Sequence, residues 1–438
     1  MTHADNINHI ACMRRRAAGL ATVFTWVILG LGFGVIRPSL AQTAGAPPRF
    51  EPSHAAYFTH VFEGFVDRAD MAGSAFIVLH QGEVVYHRAF GWRDREQSIP
   101  MTTDTIFRIA SQTKALISVG IMMLQEEGRL LVSDPVGRYL PEWRETTVAE
   151  PDSTGSYRVV PASRPITIRD LLTHTAGVGY GYGLAQDAWQ AADLQGWYFA
   201  HRSEPIQTSI ARMASLPMDA HPGTRFVYGY NTDILGALIE VVSGQPLDDF
   251  ITSRITGPLG MVDTHFYLPP EKAKRLATNY GWTEEAGLFR APEEGTMTAQ
   301  GHYVEGPRMS FSGGAGLVST TTDYARFLEM LRRGGTLDGV RVLSPKSVQA
   351  MISDQMNDVD YNDRAGKGFG YGFSIRETFG RNAELGSVGE FGWGGAYGST
   401  YWVDPAEELV VVYFKQLTPR GPLDDQAKLR ALIYGALN

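Results

Sequence analysis

The sequence predicts an α+β fold: one antiparallel sheet flanked by N- and C-terminal helices, with a helical insert between its two halves. Three observations point there. β-rich runs lie near both chain ends, "SAFIVLH" and "EVVYHRAFGW" at 74–80 and 83–92, then "YGSTYWVD" and "ELVVVYFKQ" at 397–404 and 408–416. Amphipathic helical patterns sit outside both sets of strands. Between about residues 131 and 299 the patterning is helical, with long loops.

The first 41 residues read as an export signal, so the protein is expected in the periplasm or secreted. "MRRRAAGLATVFTWVILGLGFGVI" sets Arg14, Arg15 and Arg16 before an uncharged apolar run from Ala17 to Ile36. Small residues at Ser39 and Ala41 follow, where a signal peptidase cuts. Cleavage after Ala41 is the expectation, although the run is also long enough to stay as a membrane anchor. The whole chain carries a formal charge of −8; the leader holds Asp5 against Arg14, Arg15, Arg16 and Arg37, so the mature chain is more acidic still. That balance argues against nucleic-acid partners and against stable membrane association after cleavage. The single cysteine, Cys12, lies in the leader, which leaves the mature chain no disulfide, thiolate nucleophile or cysteine metal ligand.

Residues 42–51 form a Pro-containing spacer, and 52–438 one domain with an α/β part at about 52–130 and 300–438 and a helical part at about 131–299. Ser53 can cap a helix whose Phe58, Val61, Phe62, Phe65 and Val66 share one face. Gln81-Gly82 suits a two-residue hairpin turn. The helix after "FRIASQTK" ends at Gly128, and Asp134-Pro135 offers a cap and a first-turn proline for another. In "TIRDLLTHTAG", Thr167 and Asp170 stand nearly as a capping box. "NTDILGALIEVVSG" and "LDDFITSRI" are the clearest helices of the insert, and "TTDYARFLEMLRRGG" and "DDQAKLRALIYGAL" are helices of the C-terminal part.

Ser111 and Lys114 are the pair that can carry chemistry. Three residues apart in a helical segment, they lie on one face a single turn apart. A serine hydroxyl needs a base, and a desolvated lysine can be that base. The helix is apolar nearly all round, with Leu116, Ile117, Val119, Ile121, Met122, Met123 and Leu124, in a chain with only seven lysines. The same spacing also suits a serine that caps the helix and a lysine that snorkels to solvent.

Company decides between these. "FRIASQTKALIS", "LLTHTAGV", "PGTRFVYGYNTDILGALIE", "FSGGAGLVSTTTDYARFL" and "GEFGWGGAYGSTYWVDP" resemble, in order, segments of the penicillin-binding and class C β-lactamase-like serine hydrolases. The likeness covers roughly residues 52 to 438 and is greatest to the family VIII carboxylesterases. It implies a β-lactamase/transpeptidase-like fold with Ser111 as nucleophile and Lys114 as the lysine that takes its proton. Tyr228, placed by its distance from Pro222-Gly223, matches the tyrosine that shares proton transfer and activates the deacylating water. Such a phenol needs an ammonium nearby to favour its anion. Trp393-Gly394-Gly395 takes the third motif's place, on an edge strand. There the glycines let substrate approach, and the N–H groups of Ala396 and Ser111 form the oxyanion hole.

Departures from the family pattern bear on substrate. Trp393 stands where the β-lactamases and peptidases present a lysine that helps hold the substrate carboxylate. Tyr230 stands where many have an asparagine facing the acylamido group. Losing both contacts weakens binding of carboxylated amides by a few kcal/mol, whereas uncharged esters lose little. Expected substrates are therefore small-molecule carboxylic esters with compact acyl groups, bound at Tyr230, Trp393, Gly394 and Gly395. β-Lactams, D-amino-acid peptides and acyl transfer are the alternatives, and a non-catalytic cell-wall-binding homologue is a fourth. No cofactor or metal is implied; no His-Glu-x-x-His or Gly-x-Ser-x-Gly occurs. His174 reads as a hydrogen-bonding structural histidine, and the tyrosines of "GYGYG" (179–183) as candidate linings of the acyl pocket on a mobile loop. "GLGFG" lies in the signal core and is set aside. Oligomeric state is left open.

Overall fold

The computed structural model describes residues 52–437 except 357, 358, 360, 362–365 and 382; the leader and spacer expected at 1–41 and 42–51 lie outside the described residues. Helix α1 (Pro52–Asp67) starts one residue before Ser53, whose side chain is likewise outside the description. Strands β1 (Gly73–His80) and β2 (Glu83–Asp94) turn on Gln81 and Gly82 at φ +54° and +84°, the left-handed pair that a two-residue hairpin turn needs. After β3 (Ile99–Pro100) comes α2 (Thr113–Glu126), with Gly128 just beyond its end at φ +69°. α3 (Ile168–Leu172) opens on a full capping box: the Asp170 N–H donates to the Thr167 hydroxyl at 3.2 Å and the Thr167 N–H to Asp170 Oδ2 at 2.8 Å. α4 (Asn231–Ser243) is closed by Gly244, and α5 (Thr321–Arg332) is capped by Thr320. The chain then supplies β4 (Lys367–Phe369), β5 (Ser374–Arg376), β6 (Phe391–Gly394), β7 (Thr400–Asp404), β8 (Leu409–Lys415) and α6 (Asp425–Ala436).

These strands form one antiparallel sheet in the order β4-β5-β6-β7-β8-β1-β2-β3. The two chain ends meet at its centre, where Ser74–His80 pairs with Leu409–Lys415. Side chains alternate across the sheet. Phe76, Val78, Leu409, Val411 and Tyr413 pack on Phe58, Phe62 and Phe65 of α1 and Leu429 and Ile433 of α6. Ala75, Ile77, Val410, Val412 and Phe414 join the larger core with α2 and α5. Burial on both faces is why 409–414 is an unbroken apolar run. Each buried phenylalanine contributes about 1.5–3 kcal/mol.

The helical insert contains strands that its patterning conceals. Thr147–Pro151 pairs with Tyr157–Pro161 and with Pro217–Met218, and Tyr280–Thr283 forms a hairpin with Gly287–Arg290. Asp134 does not cap the turn after Pro135. Its carboxylate instead accepts the Leu131 N–H at 2.8 Å and the Tyr139 hydroxyl at 2.6 Å, closing the loop that leaves α2.

Candidate active site

The strand Phe107–Arg108 leads into the site, pinned by pairing with Val318–Ser319. The buried Arg108 guanidinium donates to the carbonyls of Ala277 and Gln300, at 2.5 Å each. Two residues later Ala110 takes φ +44°, a left-handed conformation that costs a non-glycine residue about 1 kcal/mol. Packing of its methyl against Ala315 and Tyr397 holds it there. The backbone then makes one 3₁₀ turn, Ala110–Gln112, that leaves Ser111 half-buried at the mouth of α2.

Lys114, one turn on, is 2% exposed, so it does not snorkel. Its Nζ donates to the Gly314 carbonyl at 2.7 Å and to the Tyr180 hydroxyl at 3.2 Å, and it reaches Ser111 Oγ at 3.5 Å. It also stands 4.8 Å from the centroid of the Tyr228 ring, over a face that attracts a cation. The Tyr228 hydroxyl accepts from Trp393 Nε1 at 3.0 Å, so Ser111, Lys114, Tyr228 and Trp393 form one contiguous group.

His174 supports Tyr228, ring centroids 4.6 Å apart. The Asn231 amide donates to His174 Nδ1 at 2.9 Å, and also to the carbonyls of Val178 at 3.1 Å and Val227 at 3.2 Å, which fixes the amide's orientation. Nδ1 must therefore accept. Burial, and secondarily the Lys114 charge, pull the imidazole well below its usual range, so it stays neutral. This is a structural histidine set behind Tyr228.

Trp393 and Gly394 lie on β6, which is the third strand of the sheet rather than the edge strand expected for it. β5 pairs with Phe391 and Gly392, however, and Trp393 and Gly394 beyond them line the cleft. Gly395 permits the closest approach: a Cβ there would stand 2.6 Å from the Ile109 carbonyl oxygen, so the motif lies directly on the backbone that enters the Ser111 turn. Ala396 follows, exposed. Ser111, Tyr180, Trp197, Tyr228, Trp393 and Ala396 line a single cavity of about 870 Å³.

Tyr230 does not line it. It is 1% exposed, its hydroxyl donates to the Gly196 carbonyl, and it stacks on Trp189 at 5.9 Å, so its place is behind the wall rather than against substrate. Tyr180 packs edge-on against it at 5.1 Å, and its hydroxyl accepts from Lys114 Nζ. Burial pushes the Tyr180 hydroxyl well above the usual phenol range, which keeps it neutral beside the ammonium. The glycines around it have a steric cause. Cβ atoms at Gly179 and Gly183 would stand 2.0 and 1.8 Å from the Asp219 carboxylate, which the loop encloses. The sequence marked Tyr180 only as a candidate pocket lining on a mobile loop; the glycines at 179 and 183, which let the loop close on Asp219, were the signal for a fixed position. Trp197 and the buried Asp233 carried no signal of their own.

A Ser–Lys pair at the start of a buried helix, with a tyrosine and a glycine-rich strand opposite, is the arrangement of the β-lactamase-like serine hydrolases. The chain belongs to that family: the Beta-lactamase family profile matches residues 58–435. It is 34% identical to an uncharacterized protein of Mycobacterium tuberculosis over 82% of this chain and 90% of the relative. To esterase EstB of Burkholderia gladioli it is 31% identical, again over 82% of this chain and 90% of the relative. Among solved structures, EstCE1, described as a hydrolase with promiscuous acyltransferase activity, superposes with a TM-score of 0.74 at 27% identity, covering 87% of this chain and 99% of that one.

Proposed function

We propose that the protein is a serine carboxylesterase acting on uncharged esters of compact acyl groups, through an acyl-enzyme on Ser111 and without a cofactor. The observation that carries this reading is the approach of buried Lys114 to Ser111 in a cleft whose facing wall is the uncharged indole of Trp393. Ser111 Oγ attacks the ester carbonyl carbon while its proton passes to the uncharged amine of Lys114. The carbonyl oxygen takes the negative charge and is met by the N–H groups of Ser111 and Ala396. Collapse breaks the bond to the alkoxy oxygen, which leaves as alcohol with the proton carried by Lys114 and Tyr228. Water then attacks the acyl carbon, Tyr228 takes its proton, and Ser111 Oγ departs and is reprotonated as the carboxylic acid is released.

The indole N–H on Tyr228 supports the last step, because it stabilises negative charge on the phenol oxygen. The likeness to an esterase supports the substrate class. A second reading, acyl transfer to an alcohol, is favoured by the aromatic wall of Tyr180, Trp197, Tyr228 and Trp393, on which an alcohol can displace water. Comparing hydrolysis of a p-nitrophenyl ester with that of a chromogenic cephalosporin tests the first reading, and added alcohol tests the second. Ester turnover well above cephalosporin turnover is expected; activity on the cephalosporin alone would sink the esterase reading. Conversion of the acyl group mainly to a new ester would make the enzyme a transferase.

A further inference from the structure

Asp233 is a buried acid for which the reaction above has no use. It lies in the first turn of α4 and is fully buried. Oδ1 accepts from the Ser312 hydroxyl at 2.6 Å and from the Gly314 N–H at 3.0 Å, while Oδ2 has no hydrogen-bond partner among the described residues. The carbonyl of the same Gly314 accepts from Lys114 Nζ at 2.7 Å. One residue thus holds the carboxylate by its N–H and the ammonium by its C=O. A Cβ at Gly314 would stand 2.3 Å from Asp233 Oδ2, so the carboxylate rests directly on that residue's backbone.

A carboxylate without a cation in so dry a place is costly, and the positive charge acting on this one is Lys114. We infer that Asp233 is a positioning residue for the reaction: through Gly314 it fixes the Lys114 ammonium beside Ser111 and supplies its buried counter-charge. Burial pushes the Asp233 carboxyl above the usual carboxylate range, and Lys114 opposes that shift. The other titratable groups facing the pair are Tyr180, Tyr228, Tyr230 and His174. Burial raises Tyr180 and Tyr230, and His174 is held neutral, so none of these three supplies a competing charge near neutral pH.

The inference rests on the reading of Lys114 as the base for Ser111. Asp233→Asn keeps an oxygen for Ser312 and Gly314 and removes the charge. The acid limb of kcat/KM against pH, measured with a short-chain p-nitrophenyl ester, is expected to move about one unit lower, with the melting temperature held. A limb that stays in place overturns the inference. Should that variant not fold, Ser312→Ala, which withdraws one donor from the carboxylate, moves the limb the same way by less; an unmoved limb there overturns it equally. Lys114→Ala separates the two claims. If it still acylates, the base assignment itself fails. If it is inactive while the Asp233→Asn limb is unmoved, only the role of Asp233 is lost.

Discussion

The indole of Trp393 acts in two ways at once. In the proposed reaction its ring brings no charge to hold a substrate carboxylate, and its N–H donates to the Tyr228 oxygen at 3.0 Å. Trp393→Phe keeps the ring and deletes only the donor. A hydrogen bond to a developing anion is worth about 1.5–3 kcal/mol, so kcat for ester hydrolysis is expected to fall about tenfold or more with the melting temperature unchanged. Full kcat in that variant would mean that the N–H does not tune Tyr228. Lys114 belongs to the same scale. Its sequence neighbours alone left burial and snorkelling equally open, and what settles its position is the Gly314 carbonyl, two hundred residues away in the chain.

At the scale of elements, α5 carries a pH dependence of its own. Asp323, in its first turn, accepts the Asp263 N–H at 2.7 Å and the Thr264 hydroxyl at 3.0 Å, yet burial pushes its carboxyl from 3.8 up to about 6. The folded chain therefore holds this proton more tightly than the unfolded one. The stability it contributes is full below about pH 4 and lost as pH rises through 6, a fall of about 1 kcal/mol between pH 5 and 7. Asp323→Asn is expected to flatten that part of the profile of denaturant midpoint against pH; an unchanged slope would exclude Asp323 as its source. Element ends were the most legible feature of the sequence, because their causes are local: Thr167 with Asp170, Gly128 and Gly244 at helix ends, and Gln81-Gly82 in the hairpin. Strands such as Thr147–Pro151 and Tyr157–Pro161 were hidden, since only their pairing, through a turn at 152–156, makes them strands. The position of β6 within the sheet was hidden for the same reason: its neighbour β5 is set by long-range pairing, not by the residues of either strand.

For the whole molecule, the decisive feature is a sheet closed by both chain ends, with β8 laid beside β1 and the Ser111 turn entering α2 between the sheet and the insert. This architecture was legible because its strand and helix patterns stand at opposite ends of the chain. Ser111, Lys114, Tyr228 and Trp393 could be named from their phrases, and His174 and Tyr180 were marked in theirs, but the partners could not: Asp233 on Gly314, Asn231 on His174 and Lys114 on Tyr180 are contacts that no local pattern encodes. Export of this assembly remains our proposal from the leader; mass spectrometry of the exported protein is expected to place its first residue at Gln42, and a retained apolar run would instead make it an anchor. The most direct test of the whole scheme is intact-mass and peptide mapping after exposure to a fluorophosphonate. One adduct per chain is expected, on Ser111, absent from Ser111→Ala and lost in Lys114→Ala while its circular dichroism melt stays cooperative. Equal labelling of wild type and Ser111→Ala, or labelling of neither, would contradict a Ser111 acyl-enzyme.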